Sequence, residues 1–263
     1  MLNKFRKAKE REIVRLRSAA DMGLVPRPWD GERPSFTNAL LGAKHKGDAV
    51  AVIAEYKRAS PSRGLINAAL GPEDVAAMYA RGGAAAISVL TETDYFQGSQ
   101  DYLFAMAAAG PPLLRKDFLF DPVQVMDTAS TPASALLLIA RMFDNTEDLS
   151  EMIALTRNAD ITPVVEIFDE ADLARSREAG ATVIQANNRD LDKLVTDLDN
   201  GRRLIRDKRD GELWICASGI ETHGQLMEMA GLGYDAALVG TSLMQHDDPG
   251  AALARLLTGE DDK

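Results

Sequence analysis

The sequence predicts an α/β fold, a (β/α)8 TIM barrel with an N-terminal helical extension. Two observations carry that prediction. Eight short apolar runs rich in Val, Ile, Leu and Ala recur along the chain, none with the polar–apolar alternation of a half-exposed strand, so they read as strands buried on both faces. Segments with helix-end punctuation separate them, and the 263 residues match the roughly 250 such a barrel needs. A doubly wound sheet is the main competitor.

The elements follow in order. Residues 1–22 are basic and partly amphipathic, with Leu2, Phe5, Ile13 and Leu16 among the apolar positions, which predicts a helix packed outside the barrel. The turn-rich stretch 23–34 joins it to the first strand. The apolar runs are 50–54, 84–90, 113–114, 135–139, 162–167, 182–184, 213–215 and 236–239. Between them, Pro72 opens a helix over 73–81 that Gly82 closes, and Asp121-Pro122 reads as an N-cap with proline at the first helical position. Asp169 precedes a helix over 170–179 closed by Gly180, and Thr222 precedes one ending near Gly231. The runs are unequally spaced, which excludes a solenoid of fixed period. One domain, residues 1–263, is expected, with 1–34 packed on the barrel and 258–263 a frayed tail.

Composition limits the function. Hydrophobic residues make up 46% and charged residues 27%, and the formal charge is −10, which argues against nucleic acid as a partner. The single cysteine, Cys216, excludes an internal disulfide and suits a reducing compartment. His45, His223 and His246 have no metal-ligand spacing. Charges run through residues 4–17, where a signal peptide would be apolar, and no apolar run approaches the roughly 18 residues of a membrane helix. A cytoplasmic protein without a membrane partner, monomeric or weakly homo-oligomeric, is expected.

The chemistry gathers at strand ends, which a barrel brings to one face. In residues 52–64 (VIAEYKRASPSRG) an apolar strand ends in Glu55, Lys57, Arg58, Ser60, Ser62 and Arg63. The third strand ends in Arg115, Lys116 and Asp117, the fifth in Glu166, and the sixth in Asn187, Asn188 and Arg189. Lys57 and Lys116 with Glu55 and Glu166 form an acid–base set, since neighbouring carboxylates and ammonium groups shift one another's pKa. A strand-end lysine can equally form a Schiff base with a ketone, and the sequence does not choose. Ser218-Gly219-Ile220 and Gly240-Thr241-Ser242 follow the last two strands, where barrels commonly hold a phosphate on backbone N–H groups, and Ser60 and Arg63 can add contacts from the first loop. Phe118 is a candidate pocket wall, Trp214 a packing residue, and Cys216 a small core residue.

Taken together these segments resemble the indole-3-glycerol-phosphate synthase family. The matching stretches are IAEYKRASPSRGLI (53–66), AAAISVLTETDYFQGS (84–99), LLRKDFLFDPVQV (113–125), LLLIA (136–140), VVEIFDEADL (164–173), NNRDL (187–191), SGI (218–220) and ALVGTSLM (237–244). The resemblance implies a barrel of the phosphate-binding type that needs no cofactor or metal. It implies a small phosphorylated substrate, 1-(2-carboxyphenylamino)-1-deoxyribulose 5-phosphate, converted by ring closure, decarboxylation and dehydration. By position, it makes Lys116 the general acid at the carbonyl and Lys57 the holder of the anthranilate carboxylate. Glu55 and Glu166 become base and stabiliser of the cationic intermediate, and Asn187 holds hydroxyls. Ser60, Gly219, Gly240 and Thr241 fall at the phosphate, Phe96, Phe118 and Leu137 around the aromatic ring, and Ser218 and Arg189 among the substrate contacts.

Two positions depart from the family pattern. Where the family reads IGINNRDL the chain has Gln185 for a glycine, and where it reads SESGI the chain has Ala217 for a glutamate. The changes are opposite in volume and fall on adjacent strands, so the Gln185 side chain is expected to fill space beside Ala217. They also keep two alternatives open: a paralogue with an altered substrate, and a catalytically impaired ligand-binding barrel.

Overall fold

A computed structural model describes residues 2–45, 50–61, 63–190 and 195–260; Ser62, Leu191 and the last three residues of the expected frayed tail lie outside them. Eight parallel strands close into a barrel: β1 (Ala51–Tyr56), β2 (Ala86–Leu90), β3 (Leu113–Lys116), β4 (Ala135–Ile139), β5 (Thr162–Ile167), β6 (Val183–Asn187), β7 (Leu213–Ala217) and β8 (Ala236–Val239). Each pairs with its chain neighbours, and β1 closes the ring on β8 with Ala51 opposite Ala236 and Ala54 opposite Val239. All eight apolar runs became strands. Backbone pairing inside the sheet and helices outside leave nearly every strand residue buried, so no alternation survives in the sequence. A short hairpin, Ala59–Ser60 with Gly64–Leu65, follows β1 and was not expected.

The helices outside the barrel obey the capping signals to within a residue or two. They are α1 (Leu2–Asp21), α2 (Phe36–His45), α3 (Pro72–Gly82), α4 (Asp101–Ala107), α5 (Pro122–Ala129), α6 (Thr146–Asn158), α7 (Glu170–Glu178), α8 (Leu198–Leu204), α9 (His223–Leu232), α10 (Thr241–Met244) and α11 (Pro249–Thr258). Asp121 and Gln124 form a full capping box at α5, and Thr222 and Gln225 another at α9. The expected stop of α3 moves by one: Gly83, at φ 94°, is the left-handed cap. Gly82 has a different reason to be glycine. A Cβ there would lie 2.4 Å from the Gly250 carbonyl oxygen, so α3 and α11 touch backbone to backbone across the seam where β1 meets β8.

The N-terminal helix differs most from expectation. It does not merely lie against the outside of the barrel; it packs against α5 and over the exit of β3. Phe5, Lys9, Ile13 and Leu16 form its buried stripe, with a lysine where the spacing calls for an apolar residue. Lys9 is 3% exposed, and its Nζ lies 2.7 Å from Asp117 and 2.7 Å from Glu12. Asp117 also accepts from Thr91 Oγ1 (2.6 Å) and from the Phe118 amide (2.8 Å). Arg115, fully buried, adds contacts to Asp127 (2.9 Å) and Thr128 (2.8 Å). Burial alone pushes the Asp117 carboxyl up; Lys9 and Arg115 outweigh it and hold it below the ordinary aspartate range.

Candidate active site

A cavity of about 280 Å³ opens at the C-terminal ends of the strands, a little below the ~300–1,000 Å³ of small-molecule sites. Strand polarity explains why it is polar: the last inward residue of each strand reaches past the packed core, so a charge there keeps access to solvent and ligand. Glu55, Lys57, Lys116, Glu166 and Asn187 all line it, as do Ser60, Phe96, Phe118, Arg189, Ser218, Gly219, Gly240 and Thr241. Of the predicted site residues only Leu137 is outside the lining. It is buried one inward step below Ile139 on β4, and Ile139 forms the wall.

Glu55 and Lys57 face one another from the end of β1, with Lys57 Nζ 2.6 Å from Glu55 Oε1. Burial pushes the Glu55 carboxyl up, but Lys57, Lys116 and Arg189 outweigh it and leave it below the ordinary glutamate range, hence ionised. The backbone is fixed beneath it, since Tyr79 donates its hydroxyl to the Glu55 carbonyl at 3.0 Å. Gly240 leaves room for the carboxylate: a Cβ there would sit 2.5 Å from Glu55 Oε1. Lys116 is half-buried and its ammonium makes no hydrogen bond or ion pair with the described residues, so it remains available to a ligand.

At the opposite rim Ser218 (φ 69°) and Gly219 (φ 89°) are consecutive left-handed residues, a concave turn that presents backbone N–H groups. A side chain on Gly219 would meet Thr196 Cγ2 at 2.8 Å. Gly240, Thr241 and Ser242 approach from the start of α10, and Ser60 from the hairpin, where its Oγ accepts from the Arg63 amide at 3.2 Å. The aromatic wall stands across from this cup. Phe5 of α1 stacks on Phe118 with centroids 3.9 Å apart and planes 10° apart, and meets Tyr95 edge-on at 5.1 Å.

Phe5 is the site residue that sequence reasoning placed only as helix packing. Its signal was present in the 5, 9, 13, 16 stripe, but nothing in one sequence says which surface that stripe meets. Ala217 and Leu238 also line the cavity. Gln185 does not fill space beside Ala217 as expected. Its amide turns the other way, to β5, where Nε2 donates to Glu166 Oε2 at 2.6 Å. The amide nitrogen is the donor to the Glu166 oxygen, and Gln185 Oε1 is left buried without a hydrogen-bond partner among the described residues. Such an orphan acceptor costs about 1–3 kcal/mol. Cys216 points away from the cavity, and burial pushes its thiol up to about 12, consistent with a core residue.

The fold and the cavity define a class: a (β/α)8 barrel enzyme whose acid–base groups and anion cup share the C-terminal rim. The comparisons narrow it. The family model for indole-3-glycerol phosphate synthase matches residues 2–256. Indole-3-glycerol phosphate synthase of Carboxydothermus hydrogenoformans is 42% identical over 225 residues, covering 85% of this chain and 84% of that protein. The protein of the same name from Sulfurimonas denitrificans is 36% identical over 262 residues, covering 98% and 99%. Among solved structures, a 3-hexulose-6-phosphate synthase superposes with TM-score 0.62 at 14% identity, over 79% of this chain and 98% of that one, a likeness of fold alone. The chain belongs to the indole-3-glycerol phosphate synthase family. No helix among the described residues is long and apolar enough to cross a membrane.

Proposed function

We propose that this protein converts 1-(2-carboxyphenylamino)-1-deoxyribulose 5-phosphate to indole-3-glycerol phosphate, carbon dioxide and water. The observation that carries the reading is one cavity holding an uncommitted ammonium (Lys116), a carboxylate–ammonium pair (Glu55–Lys57) and a backbone cup (Ser218-Gly219 with Gly240). The phosphate sits in the cup with Ser60 and Thr241, and the aryl ring lies against Phe118 and Phe96, with Phe5 closing the wall. Lys57 and Arg189 face the substrate carboxylate. Lys116 donates a proton to the ketose carbonyl oxygen as the ring carbon bearing the carboxylate forms the new C–C bond to that carbonyl carbon. The resulting cation is stabilised by Glu55 and Glu166, and loss of carbon dioxide restores the aromatic ring. Departure of the hydroxyl as water, with Glu166 and Lys57 moving protons, completes the indole, while Asn187 holds substrate hydroxyls. The protein is monomeric or weakly oligomeric, works in the cytoplasm, and its own side chains supply the acid and base.

The test is direct: purified protein is mixed with the substrate and indole fluorescence is followed. Turnover supports the reading; bound substrate without turnover favours a ligand-binding barrel. A second reading, a paralogue acting on a different phosphorylated amino-ketose, rests on Ala217, which leaves an apolar patch with Leu238 at the cavity wall. Ring-substituted substrates turned over faster than the parent would favour it.

A further inference from the structure

The Gln185 carboxamide plays no part in the scheme above, yet it is fully buried and bonded to a residue that does. Among the described residues the Glu166 carboxylate has a single hydrogen-bond partner, Gln185 Nε2 at 2.6 Å. The contrast with Glu55 is informative, because Glu55 is held by Lys57 on one side and seated against Gly240 on the other. Glu166 has no such neighbours. The inward positions of β7, beyond β6, are Leu213, Ile215 and Ala217, so no polar side chain from that strand reaches it. Ile139, its partner on β4, is apolar as well. A glutamine carried at the barrel floor with one amide atom orphaned is poor packing, and a residue of that shape without polar atoms would pack there at no such cost.

We propose that Gln185 is a positioning residue: its amide N–H fixes the Glu166 carboxylate in one rotamer, leaving Glu166 Oε1 as the oxygen offered to substrate. The chain's two departures from the family pattern then belong together. Gln185 fills the place of a glycine and restrains Glu166 from β6, while Ala217, in register with Asn187, leaves β7 without a polar side chain at the cavity wall. Misplacing a reacting group by an ångström suffices to slow a step about 10²-fold, which is the scale such a clamp controls.

The proposal deepens the synthase reading and rests on it for its kinetic half. Gln185→Met keeps the length and removes the donor. The expected result is a kcat lowered about 10- to 100-fold with KM within about twofold, because a group that acts in the transition state is loosened while substrate contacts remain. In a Glu166→Gln background the same change should add less than about twofold, the signature of two residues acting as one unit. Thermal stability should fall only modestly, since losing the donor to Glu166 is offset in part by the loss of the orphan acceptor; Gln185→Leu repeats the series should the methionine overpack. An unchanged kcat, or an equal further loss in the Glu166→Gln background, overturns the proposal. Crystallography of Gln185→Met gives the arm that is independent of activity: Glu166 should spread over more than one rotamer. If the wild-type protein does not turn the substrate over, the synthase reading fails by itself, and a Glu166 unmoved in Gln185→Met then overturns the clamp.

Discussion

Lys9→Met is the substitution whose consequence the structure fixes best. The ammonium is 3% exposed and sits 2.7 Å from both Asp117 and Glu12. Methionine covers the aliphatic stem and deletes only the charge, leaving Asp117 buried with Thr91, the Phe118 amide and Arg115, whose nearest nitrogen is 3.6 Å away. Breaking a buried pair by removing one partner costs about 3–5 kcal/mol, and the contacts that remain to Asp117 place this case at the lower end, about 3. For a chain of this length each kcal/mol lowers Tm by roughly 2–4 °C, so a fall of roughly 6–12 °C is expected by circular dichroism. The double variant Lys9→Met/Asp117→Asn removes both charges and should recover part of the loss. Because Asp117 lies between Lys116 and Phe118, KM should rise as the Phe5–Phe118 wall loosens. A Tm within about 2 °C of wild type, well short of that range, would refute the reasoning, since the pair would then be doing no more than offsetting its own desolvation.

The other predictions are narrower. Lys116→Ala should lower kcat by about 10²–10⁴, the usual contribution of a general acid, while product binding measured by calorimetry persists. Gly240→Ala should push the Glu55 carboxylate off its place, because the new methyl group would lie 2.5 Å from Oε1; activity falls sharply while far-ultraviolet circular dichroism is unchanged. Glu55 and Asp117 are both held below their ordinary values, so their contribution to stability is complete above about pH 4.5 and is lost as the pH falls through the folded-state values. The urea midpoint should therefore drop steeply below about pH 4.5, and less steeply in Lys9→Met, where the cause of the Asp117 depression has been removed.

Most of the barrel was legible because its strands are buried on both faces and its helices carry caps that act within a few residues. Asp121 with Gln124, and Thr222 with Gln225, are local signals and gave local answers. The catalytic rim was legible for a different reason: most charges at strand ends face the cavity, although Arg115 and Asp117 turn instead into a buried network with Lys9 and Asp127. What stayed hidden depends on pairings across long stretches of chain. Lys9 meets a partner 108 residues away, and a lysine on an amphipathic helix reads as solvated until that partner is seen. Phe5 is apolar whether it faces a barrel wall or a ligand. Gln185 was singled out correctly, but the direction of a side chain with neighbours on both sides depends on hydrogen-bond chemistry, and Glu166 accepts where Ala217 cannot.

The meeting of Gly82 with Gly250 has a consequence for how the chain comes into being. The two glycines bring together the helices that follow the first and last strands, and the strand pair they flank is the last to become possible during synthesis. Until β8 and α11 have emerged, β1 presents a bare row of peptide groups, the kind of edge on which chains join one another wrongly. Larger residues at either glycine should thus act less on the finished enzyme's chemistry than on the fraction of newly made chains that stay out of aggregates.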